Sequence, residues 1–199
     1  MAQEKNLHEM SFEQLGKLFP IIISEHDKDW KNKYAGEKII IENAIGKENI
    51  VRINHYGSTF VPNLLAKPTI DILLEIKDDT DLNNLIENIK SIDYMYSPQP
   101  NNPAPHMMFM KGYTNKGFVG QAFHLHVRYK GDWDELYFRD YLLTNKDIAK
   151  EYGKLKLQLK EKFEHDREGY TQSKSEFIKA ATKQARIELC NKYKIDKEY

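Results

Sequence analysis

The sequence predicts an α+β fold: a small mixed β-sheet with flanking helices and a C-terminal helical layer. Three observations carry this. Helical stretches come first, short strand-like runs follow, and the chain after Gly131 turns charged and helix-periodic. Helices and strands segregated in this way make α+β rather than alternating α/β domains. The run Thr69–Ile76, TIDILLEI, alternates with a strand's period of two. The 199 residues are expected to form one domain, 1–199, with N-terminal helices and sheet core over about 1–130 and the helical layer over about 131–199.

In chain order, Ser11-Phe-Glu-Gln14 has the spacing of a capping box. Phe12, Leu15 and Leu18-Phe19 follow at helical spacing, and Pro20 stops the helix. Ile21–Ile23 reads as a brief extended run. Asp27 or Asp29 caps a second helix with Trp30, Tyr34 and Ile39 to Ile41 as its apolar positions, ended by Gly46. Trp30 is expected in the core, because a large aromatic buries so much area. Strands follow at Asn49–His55 and Thr69–Ile76, with a short helix or turn at Val61–Ala66 between them. Thr80-Asp81 caps a helix to about Lys90. Tyr94–Tyr96 is a further strand, and the Pro/Asn loop Ser97–Pro105 cannot continue a helix or pair as a central strand. His106–Lys111 and Gln121–Tyr129 form an antiparallel pair joined through Gly112, Asn115 and Gly117. Asp132–Thr144, Lys146–His165 and Ser173–Tyr193 are the helices of the last third.

Composition narrows the function. Lys+Arg and Asp+Glu balance at 30 each, without the basic excess of a dedicated nucleic-acid protein, so long nucleic acid is not an expected partner. Cys190 is the single cysteine, so neither an intramolecular disulfide nor a cysteine-based zinc site can form; it reads as a small apolar residue on the last helix. No run approaches the ~20 apolar residues of a membrane span, and the first residues lack a signal-peptide pattern. A cytoplasmic protein with no membrane partner is the expectation.

The chemistry concentrates in His55–Ile76. Gly57-Ser58-Thr59 is a small-residue turn after an apolar run. Glycine lets backbone approach a ligand closely, and successive N–H groups at such a turn hold anions. Asp71, Leu73 and Glu75 alternate onto one face of the next strand. A phosphate cradle followed by strand-borne carboxylates is the layout for a metal-bound nucleotide; the same stretch also reads as a tight turn leading into an edge strand. Lys67, before Pro68, stands where it can reach a phosphate. His124 and His126 share a strand face two residues apart, a spacing that ligates a metal, flanks a phosphate, or simply belongs to two satisfied core histidines.

GSTFVPNLLAKPTIDI at 57–72 resembles the GST-x-VPG-x-x-x-KP-x-IDI signature of the GrpB family. HLHV at His124–Val127, FRDYL at Phe138–Leu142, YGKLK at Tyr152–Lys156, DREGYTQSKSEFI at Asp166–Ile178 and an early Asp29-Trp30 match the same family in the same order. The resemblance implies the nucleotidyltransferase fold, of the DNA polymerase beta-like kind. It implies a Gly-Ser turn that holds phosphates and two or three carboxylates that hold magnesium. Asp71 matches the first carboxylate. The second is expected two residues later, where this chain has Leu73; Glu75 stands two further on the same face, about 6–7 Å onward.

Asp71, from the resemblance, and Glu75, from its place on the same strand face, are the expected catalytic residues; Glu75 departs from the family pattern, as an outer ligand or the mark of a degenerate site. Those two with His124 and His126 are the expected metal ligands, for magnesium or manganese, or zinc if imidazoles replace a carboxylate. Gly57, Ser58, Thr59, Lys67, Arg139, Tyr170 and Lys174 are the expected nucleotide and phosphate contacts. Arg139 is included for its bidentate fork, and Tyr170 and Lys174 as i, i+4 neighbours. Lys156 and Arg167 match family positions on the same helices. The expected activity is metal-dependent nucleotidyl transfer from a nucleoside triphosphate to a small-molecule or protein acceptor. The alternative is a nucleotide- or phosphometabolite-binding protein that kept the cradle and lost the second carboxylate.

Overall fold

A computed structural model describes residues 7–194; residues 1–6 and 195–199 of the expected domain lie outside the described residues. The capping box forms as read: Ser11 Oγ accepts from the Gln14 N–H at 3.2 Å and Gln14 Oε1 accepts from the Ser11 N–H at 3.0 Å. It opens α1 (Phe12–Leu18). Ile21–Ile23 is not a strand. The Ile21 N–H donates to the Glu164 carbonyl, and only Ser24 bridges to the chain, at Ala66.

Helix α2 (Trp30–Ile45) starts after Asp29 and stops at Gly46, but the Asp29 carboxylate does not cap it; it accepts from Asn32 Nδ2 instead. Successive helical residues turn by about 100°, so three isoleucines in a row cannot all face inward. Ile41 is buried, while Ile39 and Ile40 are 58% and 42% exposed. Trp30 is buried at 2% exposure.

The sheet has the order β1-β2-β5-β4-β3, built from β1 (Ile50–Tyr56), β2 (Thr69–Ile76), β3 (Met95–Ser97), β4 (Met107–Thr114) and β5 (Gly117–Tyr129). β2 and β5 are parallel and every other pairing is antiparallel, so the sheet is mixed. β2 is an interior strand rather than an edge. That explains its almost unbroken burial, since a strand paired on both sides and covered on both faces reads as a continuous apolar run. The β4–β5 pair is longer than expected. Gly112, at φ +86°, sits at a register shift inside β4 and lets the hairpin continue to a turn at Asn115-Lys116.

The two sheet faces differ. Ile70, Ile72, Leu74 and Ile76 pack with Leu125, Val127 and Phe109 against α2 and α3 (Leu82–Lys90), forming the main core. The other face carries Asp71, His124 and His126. Helices α4 (Asp134–Thr144), α5 (Lys146–Phe163), α6 (Arg167–Ser173) and α7 (Ser175–Glu188) form the helical layer. Its cores join Val61 and Leu64 to Leu142 and Tyr152, and Tyr137 and Tyr141 to Ala181 and Ala185. The helix expected from Ser173 is α7, and the short α6 precedes it in the stretch between the two expected helices. Asp166 caps α6, accepting from the Gly169 N–H at 2.8 Å, and α7 starts after Lys174. Cys190 lies beyond α7 and is exposed, so it is not the apolar helix residue expected.

Candidate functional site

Sheet register assembles the site. The β1–β2–β5–β4 pairings line up Tyr56, Asp71, His124 and Met110 in one row and Asn54, Leu73, His126 and Met108 in the next. Asp71 and His124 are thus direct neighbours, 53 positions apart in sequence. Asp71, His124 and His126 each offer one ligand atom, all within 4.8 Å of one another. The His124 Nδ1 lies 3.3 Å from Asp71 Oδ1.

Above them is a cavity of about 960 Å³, walled by the sheet and by side chains of α4 to α7. One end is cationic, holding Lys67, Lys156, Lys174 and Arg167. The Lys156 Nζ donates to Ser58 Oγ at 3.0 Å and to the Leu65 carbonyl. Arg167 donates to the Phe19 carbonyl at 3.1 Å and to the Tyr113 hydroxyl at 3.3 Å. The Tyr170 ring lies 4.4 Å from Lys174 Nζ and 5.6 Å from Lys67 Nζ. Its hydroxyl is buried with no hydrogen-bond partner among the described residues. His106, Trp133 and Glu135 line the cavity as well, His106 from the end of the Pro/Asn loop.

Burial and charge set the protonation states. Burial alone would raise the Asp71 carboxyl, but the His124 hydrogen bond and the nearby His124, His126 and Lys67 charges hold it below its ordinary value. Burial lowers His124 and drives His126 down to about 3. An ionised carboxylate beside two neutral imidazoles is the donor set a divalent cation requires, and the imidazoles favour manganese or zinc over magnesium. Burial, then the charges of Arg167 and Lys174, lowers Lys67 to about 7; burial, then the charges of Lys174 and Lys67, lowers Lys156 to about 7; burial chiefly lowers Lys174 to about 8, with Arg167 opposing its charge as well.

Gly57, Ser58, Lys67, Asp71, His124, His126, Tyr170 and Lys174 all border this cavity or its cluster, with Lys156 and Arg167 beside them. Three expected residues do not. Glu75, expected as catalytic residue and metal ligand, is 0% exposed. Its carboxylate accepts from Arg52 Nε, from Arg52 Nη2 at 2.7 Å and from the Gly131 N–H at 3.0 Å. It is a structural ion pair pinning β1 and β2 to the start of the helical layer. Thr59, expected on phosphate, is buried with its hydroxyl against His55 Nε2 at 2.9 Å. Arg139, expected on an anion, is buried between Asp140, the His55 carbonyl and the Tyr193 hydroxyl. Its fork is used inside the helical layer. Arg52→Met, which strands the Glu75 carboxylate, is expected to cost about 3–5 kcal/mol in urea unfolding.

The fold and site together define an α+β protein whose polar sheet face holds an Asp/His cluster beside a cationic cavity. The chain belongs to the GrpB family: that family's model, GrpB protein, matches residues 20–184. It is 35% identical over 164 residues to the glutamate-rich protein GrpB of Alkalihalophilus pseudofirmus, covering 79% of this chain and 91% of the relative. It is 33% identical over 164 residues to the UPF0157 protein YqkA of Bacillus subtilis, covering 81% of this chain but 46% of YqkA. The crystal structure of conserved protein GrpB from Enterococcus faecalis superposes with a TM-score of 0.73 at 30% identity, over 84% of this chain and 98% of that one. Among the described residues, no helix is long and apolar enough to cross a membrane.

Proposed function

We propose that this protein binds a nucleoside triphosphate together with a divalent cation and transfers the nucleotidyl group to an acceptor. One observation carries the reading: Lys67, Lys156, Lys174 and Arg167 share a single cavity with an Asp/His cluster. Lys67, Lys156, Lys174 and Arg167 hold the phosphate oxygens, and the unpartnered Tyr170 hydroxyl donates to one of them. Ser58, tied to Lys156, places the turn against the same phosphates. Asp71, His124 and His126 hold the cation, whose contribution is to neutralise charge and polarise the phosphoryl oxygens. The acceptor oxygen bonds to the α-phosphorus as the bond to the β-phosphate breaks. Pyrophosphate and a proton are released, and the lysines retain the pyrophosphate until it leaves. The acceptor is a small molecule or a protein, in keeping with the balanced charge.

Leu73 and the committed Glu75 favour a second reading, a binding protein without transfer. Position 73 is fully buried and apolar, so Asp71 is the one carboxylate in the cluster.

Calorimetric titration of ATP, GTP, CTP and UTP with magnesium or manganese tests both. Cation-dependent binding of at least one nucleotide is expected, weakened roughly 100-fold in Asp71→Asn, about 2.7 kcal/mol. Pyrophosphate release in an acceptor screen selects transfer, and tight binding without release selects the second reading. Absence of binding by all four nucleotides with either cation overturns the nucleotide assignment.

A further inference from the structure

The cavity wall contains a hydrogen-bonded chain that runs from Asp71 through His124 and Tyr113 to Arg167. Tyr113, on β4, is buried behind the wall. Its hydroxyl lies 2.7 Å from His124 Nε2 and accepts from Arg167 at 3.3 Å. Thr69 lies near enough to the same hydroxyl to oppose the rise in its pKa that burial causes. The Tyr113 ring stacks on His124 at 5.7 Å and 17°, and Phe19 and Phe118 hold it at 5.0 and 5.1 Å. Both His124 nitrogens are therefore engaged, Nε2 by Tyr113 and Nδ1 by Asp71 at 3.3 Å.

We propose that Tyr113 is a positioning residue that switches the His124 tautomer and thereby sets the affinity of the Asp71–His124–His126 cluster for a divalent cation. This rests on the cation reading of that cluster. An ionised carboxylate only accepts hydrogen bonds, so in the free protein the His124 proton sits on Nδ1, facing Asp71, and Nε2 accepts from the Tyr113 O–H. A nitrogen that carries a proton has no lone pair for a metal. Cation binding between Asp71 and His124 therefore requires the proton on Nε2, which then donates to the Tyr113 oxygen. The Tyr113 O–H turns to Thr69 in exchange. The imidazole stays neutral and the proton count is unchanged. A phenolic hydroxyl both donates and accepts, so Tyr113 serves both states; phenylalanine serves neither. Partners that fix a ligating imidazole in this way are worth roughly 10–100-fold in metal affinity.

The test follows the full chain through a zinc titration, reading the His124 tautomer from long-range proton–nitrogen NMR correlations and zinc affinity from competition with a chromophoric chelator. Wild type is expected to pass from the Nδ1–H to the Nε2–H form. Tyr113→Phe, which keeps the ring packing, is expected to keep the Nδ1–H form without zinc, because Asp71 still accepts from it, and to bind zinc roughly 10–100-fold more weakly, because its Nε2–H then has no acceptor. A wild-type tautomer that zinc leaves unchanged overturns the switch, and that result needs no variant to fold. Equal zinc affinity in both proteins removes Tyr113's role while leaving the cation site in place. No zinc uptake by wild type overturns the cation reading and the switch with it.

Discussion

Gly57→Ala is expected to remove cation binding and lower stability, while Gly120→Ala costs stability alone. Gly57 has φ +73° and ψ −174°, a backbone region essentially restricted to glycine, where another residue costs about 1–3 kcal/mol. The space is also taken. A β-carbon there would be driven into Asp71 Oδ2, with Asp71 Cβ and Cγ at 3.1 Å. An alanine must therefore push the carboxylate away from His124. Gly120 also has positive φ, at +68°, but nothing lies within 4 Å of a β-carbon built on it. The pair of variants separates backbone strain from the clash. Thermal unfolding with manganese titration reads both, and manganese affinity retained in Gly57→Ala would show that Asp71 does not need its present position.

Polyanion affinity is expected to fall at least about tenfold between pH 7 and pH 9. Lys67 and Lys156 titrate near 7 and Lys174 near 8, lowered first by burial. Each is charged below its value and loses that charge as pH rises through it. A bound polyanion favours the charged form, so binding at pH 8 takes up protons, and each lysine adds up to one log unit of affinity lost per pH unit. Calorimetry of inorganic tripolyphosphate in buffers of different ionisation enthalpy measures that uptake. Stability of the free protein should move the other way. An unfolded lysine titrates near 10.4, so between about pH 7 and 10 the unfolded chain binds more protons and these lysines' contribution to stability rises with pH. Lys67→Met is expected to raise the melting temperature at pH 7 and weaken tripolyphosphate binding. Affinity flat from pH 6 to 9 would show that the lysines do not contact the anion.

Local signals were readable in sequence because their causes are local. The capping box at Ser11–Gln14, the span Thr69–Ile76 and the Gly57 turn each follow from a few adjacent residues. Helix α6 was not, because Gly169 weakens the helical pattern and only the Asp166 cap marks its start. Tyr113 carried no sequence signal, standing beyond the strand read to Lys111, and its role depends on a residue eleven positions on.

Sequence alone determined the α+β class, the family signature and a polar strand carrying Asp71, because composition, period and spacing are properties of the chain before it folds. It could not determine which polar residues meet. Asp71 reaches His124 through the parallel register of β2 and β5, and Lys67, Lys156, Lys174 and Arg167 converge because the helical layer closes over that face. The β1–β2 register set Glu75 beside Arg52, and local chain geometry placed Thr59 on His55 and Arg139 on Asp140. A buried charge or hydroxyl must find a partner, and tertiary packing alone decides whether that partner is the protein or a ligand.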